Sequence, residues 1–414
     1  MPLRKTILLL SLVITFAVTA LPARILSRSL QPAILRGADF ALKDGERVVF
    51  YGDSITEQRF YTTYVEHYVL SRYPGRRVTF INTGWGGDKV AGNECVPCAG
   101  VGGLARIERD VIAYRPTVVT LLFGMNDGRY RTFDPVTLKA YEDGLAAIIG
   151  ELKSKTRARI YVMTPTAYDG AHSPPWSNNN QYNEVLDRYS EAAKQIAARE
   201  GLPVIDLHSV TSDTLQQAKK IKADYTFLPD GVHPAEDGHF IMAAEILRAW
   251  GAPVNGTEIN ERTSNRQNGS AEFAFSAPLS WPSPLPSDTI REVRPEVTNL
   301  GKITLKLTGL SAGNYSVSVD GSISGHYTAG QLSEGIAVSS QKANDASRSV
   351  AALVRRRADL FFMRWRQIQV PFEKEYPSTA RALSSLDAVI EEMTARARML
   401  SKPHRYEVVV TRVE

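Results

Sequence analysis

The 414 residues are 43% hydrophobic and 22% charged, enough to bury large cores and too apolar for a mainly disordered chain. The net charge of +5 falls to +3 when residues 1–23, with two basic and no acidic side chains, are set aside, and so small an excess does not direct the protein to nucleic acid. Only two cysteines occur, Cys95 and Cys98, which excludes a disulfide-stapled scaffold and a four-cysteine zinc site.

The chain opens with Arg4 and Lys5 ahead of an apolar run from Ile7 to Ala20, with small residues at Val18, Ala20 and Ala23. The run is shorter than the roughly 20 residues that span a bilayer. Residues 1–23 therefore read as a secretory signal peptide, and the mature protein as exported, periplasmic or extracellular, with no stable membrane anchor.

From Arg47 to Trp250 five apolar runs alternate with amphipathic stretches. Val48–Tyr51, Val78–Ile81, Val118–Phe123, Ile160–Met163 and Val204–Leu207 suit strands buried on both faces. Between them the spacing is helical, as in Leu145, Ile148, Ile149 and Leu152. The alternation predicts an α/β domain over 24–250, a parallel sheet covered by helices with its functional groups beyond the carboxyl ends of the strands. The stretch 251–290, rich in Pro, Gly and Asn, is predicted as a linker. A C-terminal accessory region, 291–414, should hold a β segment within 300–339, amphipathic helices at Val350–Ile368 and Ala380–Met399, and a last strand at Tyr406–Val413. Its basic surplus, Arg355, Arg356, Arg357, Arg364 and Arg366, is expected on a solvated helix face.

Chemistry gathers at the strand ends. The first strand runs into Gly52-Asp53-Ser54-Ile55-Thr56, which puts a hydroxyl at a helix N-terminus, where unpaired N–H groups meet developing negative charge. The second ends in Asn82-Thr83-Gly84-Trp85-Gly86-Gly87-Asp88 and the third in Phe123-Gly124-Met125-Asn126-Asp127-Gly128. A glycine N–H and the Asn126 amide could join the Ser54 N–H around one oxyanion. Asp230-Gly231-Val232-His233-Pro234 precedes the last helix of the domain, and an Asp three residues before a His can take Nδ1–H and leave Nε2 facing a nucleophile. Each motif alone is an ordinary cap or turn; their joint occurrence is what carries weight.

Together, across about residues 45 to 250, these motifs closely resemble the SGNH/GDSL hydrolase superfamily. The resemblance implies a flavodoxin-like three-layer α/β/α sandwich with strand order 2-1-3-4-5. It makes Ser54 the nucleophile, Asp230 and His233 the orienting acid and the base, and Ser54, Gly87 and Asn126 the oxyanion donors, with Gly84 as the other register for the glycine. Family members are esterases, lipases, thioesterases or carbohydrate deacetylases that need no metal or cofactor. The Gly-Asp-Ser-Ile-Thr-Glu sequence looks more like the carbohydrate-esterase side, so the expected activity is hydrolysis of acetyl or other short acyl esters on a carbohydrate. The alternatives are a lipase or thioesterase, a sugar O-acyltransferase on the same site, and a catalytically silent glycan-binding protein. Trp85, Asp53, Tyr168 and Trp176 are candidates for substrate contact. In an exported protein a local disulfide between Cys95 and Cys98 is the expected reading, with free thiols or a redox pair as the alternatives.

Overall fold

The five apolar runs lie side by side in a computed structural model, which describes residues 40–92, 100–177, 179–263, 270–374 and 376–413. The signal-peptide reading of 1–23 and the Cys95–Cys98 pairing fall outside the described residues. Strands β1 (Arg47–Gly52), β2 (Thr79–Asn82), β3 (Val118–Leu122), β4 (Arg159–Met163) and β5 (Val204–Ile205) form one all-parallel sheet in the order β2-β1-β3-β4-β5. The expected order is the one observed.

Helices cover this sheet: α1 (Ser54–Glu57), α2 (Phe60–Arg72), α3 (Gly103–Asp110), α4 (Pro135–Lys155), α5 (Tyr182–Arg199), α6 (Leu207–Ile221) and α7 (Glu236–Ala249). The reason is visible in α4, where Asp134 caps Val136 N–H, Pro135 starts the helix, and Leu145, Ile148, Ile149 and Leu152 form a fully buried stripe. Each such side chain contributes about 1.5–3 kcal/mol on burial. The order of β1 between β2 and β3 brings the loops after all three strands to one edge, where the candidate motifs sit.

Beyond Ala249 the linker expected at 251–290 is corrected by two strands, β6 (Thr257–Arg262) and β7 (Ser270–Ala277). Both alternate, with Thr257 and Ile259 inward on β6 and Ala271, Phe275 and Ala277 inward on β7. Small and polar residues between them mask the period. Helices α8 (Asp288–Val293) and α9 (Pro295–Asn299) follow, then β8 (Ile303–Thr308), β9 (Asn314–Val319), β10 (Ser322–Thr328), α10 (Ala329–Glu334) and β11 (Ile336–Ala337). The chain continues through α11 (Gln341–Phe362), a π-helical segment Met363–Gln369, α12 (Val370–Phe372), α13 (Thr379–Leu400) and β12 (His404–Val413). The strands make two small sheets, β10-β9-β12-β7 and β11-β8-β6, around a core of their own that includes Phe275, Leu305, Val317 and Val408.

The C-terminal helices and the segments that join them are different, because Trp281, Ile290, Val297, Leu300, Phe361 and Trp365 belong to the same core as the five-stranded sheet. The arginines follow them inward, and the expected solvated face is corrected. Arg357 is buried against Glu66, Arg364 pairs with Asp387 at 2.7 Å, Arg355 lies 3.9 Å over the Phe60 ring and Arg366 lies 3.4 Å over Trp85. Of the five, Arg356 alone is exposed. The face that carries them is the interface with α2 and the strand-end loops. Among the described residues no helix is long and apolar enough to cross a membrane.

Candidate active site

β1 leaves the sheet at Gly52, where a Cβ would come within 2.5 Å of the Leu122 carbonyl oxygen, so this turn needs glycine. Asp53 then caps α1 by accepting from Ile55 N–H at 3.0 Å, which makes Ser54 the first helical residue and leaves its hydroxyl half-buried. The turn before α7 brings His233 to it, with Nε2 2.8 Å from Ser54 Oγ and Nδ1 2.7 Å from Asp230 Oδ2. A carboxylate on Nδ1 fixes the proton there, so Nε2 is the acceptor and the Ser54 hydroxyl donates to it. Asp230 Oδ1 also accepts from the N–H groups of His233 at 2.7 Å and Val232 at 3.0 Å. Partial burial would raise this carboxyl, but the bonds from His233 and Val232 outweigh it and hold Asp230 below the ordinary carboxylate range. Gly231, at φ +79°, lets the turn close, since a Cβ there would stand 2.8 Å from the His172 carbonyl oxygen.

The other two loops converge on the same edge. Asp88 N–H donates to the Trp85 carbonyl at 3.2 Å, and Gly87 occupies the third place of that turn with φ +71°. Asn126 Nδ2 donates to the Asp88 carbonyl at 3.1 Å, and its Oδ1 accepts from the Tyr130 hydroxyl at 2.9 Å. One Nδ2 proton remains for another acceptor. Gly84 N–H donates to Asn82 Oδ1 at 3.0 Å, so the alternative register would require a donor already used inside its own loop. Serine, imidazole, carboxylate and two donor-bearing loops are the parts of an acyl-transfer site.

Residues 50–241 match the family model of the GDSL-like lipase/acylhydrolases. The α/β layer of this chain belongs to that family. The chain is 28% identical over 229 residues to an acetylxylan esterase from Geobacillus stearothermophilus, covering 50% of this chain and 94% of the relative. It is 26% identical over 141 residues to the isoamyl acetate-hydrolyzing esterase 1 homolog of Homo sapiens, covering 32% of this chain and 54% of that one. The protein is a carboxylic ester hydrolase of the SGNH type. The wider architecture has a solved counterpart in a gut microbial diltiazem-metabolizing enzyme, with a TM-score of 0.73 at 20% identity over 90% of this chain and 98% of that one. At that identity the likeness is one of fold, and it extends through the C-terminal region.

Two of the residues expected to meet substrate in the GDSL-like layer are corrected by burial. Asp53 and Tyr168 are each 1% exposed; the first is occupied as the α1 cap, the second is hydrogen-bonded to Ser173 and Ser177. Trp85 is half-buried, and Trp176, 59% exposed, stands edge-on to Tyr130 with ring centroids 4.7 Å apart. Among the described residues no group of three or more His, Cys, Asp or Glu side chains could hold a metal ion.

The structure adds residues that sequence reasoning missed. Arg106 on α3 is fully buried and donates to the Asp88 carboxylate at 2.7 Å, the Thr83 carbonyl at 2.7 Å and the Gly52 carbonyl at 2.9 Å. Asp127 holds the GDSL-like layer's third loop by accepting from Val90 N–H and Gly124 N–H, each at 3.0 Å. Burial pushes the carboxyls of Asp127 to about 7 and Asp53 to about 8. Tyr130 reaches Asn126 because Arg129 and Tyr130 are both left-handed, at φ +58° and +54°. Backbone so strained is held by its surroundings and often marks a working site. The one available signal was Asp127, beside Asn126 in the third motif.

Proposed function

We propose that the protein is a serine esterase that removes acetyl or another short acyl group from an acylated carbohydrate. The observation that carries this reading is the Asp230–His233–Ser54 chain of hydrogen bonds at 2.7 and 2.8 Å, ending on a hydroxyl at the start of a helix. His233 Nε2 takes the Ser54 proton as Oγ bonds to the acyl carbonyl carbon. Negative charge moves to the carbonyl oxygen, where the N–H groups of Ser54 and Gly87 and the remaining Nδ2 proton of Asn126 receive it. The carbon–oxygen bond to the sugar breaks, and that oxygen leaves with the proton from His233. Water then gives a proton to His233, attacks the acyl-enzyme and releases the carboxylic acid, returning the proton to Ser54.

Likeness to an acetylxylan esterase supports carbohydrate as the carrier, and the exposed Trp176 ring suits stacking on a sugar face. In the same reading residues 24–250 supply the chemistry, 291–414 form the accessory region, and the N-terminal segment exports the protein.

The test is release of acetate from acetylated xylan and p-nitrophenol from its acetate ester, by wild type and by Ser54→Ala. Both activities should vanish in a folded Ser54→Ala protein. Unchanged turnover in that variant would sink the mechanism, and hydrolysis of the aryl ester with none of an acetylated polysaccharide panel would sink the carbohydrate assignment.

A further inference from the structure

The sequence presents the C-terminal helices as an appendage, yet one of them reaches the candidate oxyanion donors through a continuous set of buried polar contacts. Trp365, 0% exposed in the π-helical segment, donates its indole N–H to Asp110 Oδ1 at 2.9 Å. Asp110 Oδ2 accepts from Arg106 Nη1 at 3.3 Å. The same guanidinium holds the Gly52 carbonyl, two residues before Ser54, and the Asp88 carboxylate, next to Gly87. The Asp88 carbonyl in turn accepts from Asn126 Nδ2 at 3.1 Å. All three donors are therefore tied, within one or two residues, to one buried cation. A planar guanidinium with several fixed donors suits that role, because each oxygen it holds is fixed in direction as well as distance.

A second line runs to the turn that carries Gly87. Trp85 opens that turn; the Trp365 ring meets it edge-on with centroids 5.9 Å apart at 81°, and the Arg366 guanidinium covers it at 3.4 Å. Arg366 also lies 3.9 Å from Glu57, whose carboxylate lies so close to the same turn that a Cβ on Gly86 would stand 2.8 Å from it. The π-helical winding places two successive residues, Trp365 and Arg366, on this one loop; such segments recur at functional sites.

We infer that Trp365 and Arg366 of the C-terminal region are positioning residues of the active site: through Asp110, Arg106 and Trp85 they hold the oxyanion donors in register for the tetrahedral intermediate. The inference rests on the serine-esterase reading. Stabilisation of an oxyanion depends on donors fixed before the reaction, so loosening them should slow the chemical step and leave ground-state binding almost untouched.

The experiment uses the full chain and two conservative variants. Trp365→Phe keeps an aromatic ring against Trp85 and loses the indole donor to Asp110. Trp281→Phe loses an equally buried donor across the same seam, from Trp281 Nε1 to the Tyr64 carbonyl at 2.9 Å, with no bond to Arg106. Trp365→Phe should lower kcat about tenfold with KM within about twofold, because full loss of one donor costs roughly 10² to 10³. Affinity for an alkyl trifluoromethyl ketone, which forms a tetrahedral adduct on serine, should fall in parallel. Trp281→Phe should keep wild-type kcat and inhibitor affinity. Equal losses in both variants, or wild-type kcat in Trp365→Phe, would overturn the inference. Should Trp365→Phe not fold, Arg366→Gln at its half-buried position decides alone: a several-fold drop in kcat supports the inference and an unchanged kcat overturns it. Ser54→Ala separates the two claims. A fully active Ser54→Ala enzyme removes the esterase reading itself, whereas an inactive one beside a normal Trp365→Phe removes only this inference.

Discussion

The Tyr130 hydroxyl donates to Asn126 Oδ1 at 2.9 Å and so fixes which end of the amide faces the Ser54 edge. Without that bond the amide keeps only its donation to Asp88, and a rotation that exchanges oxygen for nitrogen meets less resistance. Tyr130→Phe should lower kcat by about tenfold or less, whereas Asn126→Ala, which removes the donor, should cost roughly 10² to 10³. Steady-state kinetics on p-nitrophenyl acetate check both. Equal losses in the two variants would mean that Tyr130 has a role beyond orienting Asn126.

Asp230 gives two separable outcomes. Asp230→Asn keeps an oxygen for the His233 and Val232 N–H groups but turns an amide toward Nδ1, so the imidazole loses its fixed tautomer, and on the proposed mechanism kcat should drop by about 10⁴, the loss that the same change causes in a serine protease. The stability effect has a definite sign. A carboxyl held below its unfolded value of about 3.9 adds stability above that pH and loses it as pH falls through the lower folded value. The Tm gap between wild type and Asp230→Asn should therefore be present at neutral pH and close in the acid range below about pH 4. It should also be small, since the group is largely exposed and screened. A gap that is constant with pH would show that Asp230 stabilises the fold by packing alone.

What could be read in the sequence depended on how local each signal is. β1 and β3 are buried on both faces, so Val48 to Tyr51 and Val118 to Leu122 announce themselves as unbroken apolar runs. Ser54, Asn126 and His233 each stand beside a glycine-bearing turn at a strand or helix end, and their neighbours carry the pattern. Arg106 has no such neighbourhood: its acceptors Thr83 and Gly52 lie 23 and 54 positions away. Trp365 meets Asp110 across 255 positions, and β7 pairs with β12 at the far end of the chain. Contacts of that kind leave a lone Arg, a lone Trp or a strand of small residues with no local periodicity to mark it.

Asp53 predicts a pH dependence of the opposite sign. Burial raises its carboxyl to about 8, while an unfolded aspartate titrates near about 3.9. Between those values the folded chain holds a proton that the unfolded chain releases, so this group's contribution makes stability fall as pH rises from about 4 to about 8 and level off above. Asp53→Asn retains the oxygen that caps Ile55 and removes the ionisation. Its Tm advantage over wild type should grow across that window and then stop growing. A difference that is flat from pH 4 to 9 would mean that Asp53 is ionised throughout.

The buried pair Glu66 and Arg357 tests whether the C-terminal helices complete the α/β layer. Glu66 on α2 is 4% exposed and Arg357 on α11 is 5% exposed, and the guanidinium also donates to the Phe80 carbonyl at 3.3 Å. Burial pushes the Glu66 carboxyl up, and Arg357 opposes that shift. Arg357→Met leaves a buried acid without its partner and should cost about 3–5 kcal/mol. Adding Glu66→Gln removes the stranded charge, so the double variant should recover much of that loss. Ending the chain at Gly256 strips away Arg357 together with Trp281, Phe361 and Trp365, exposing both this acid and the apolar surface those residues cover. The truncated chain should aggregate, as read by size-exclusion chromatography. A soluble, monomeric 24–256 fragment with wild-type Tm would show that the α/β layer stands without the C-terminal helices.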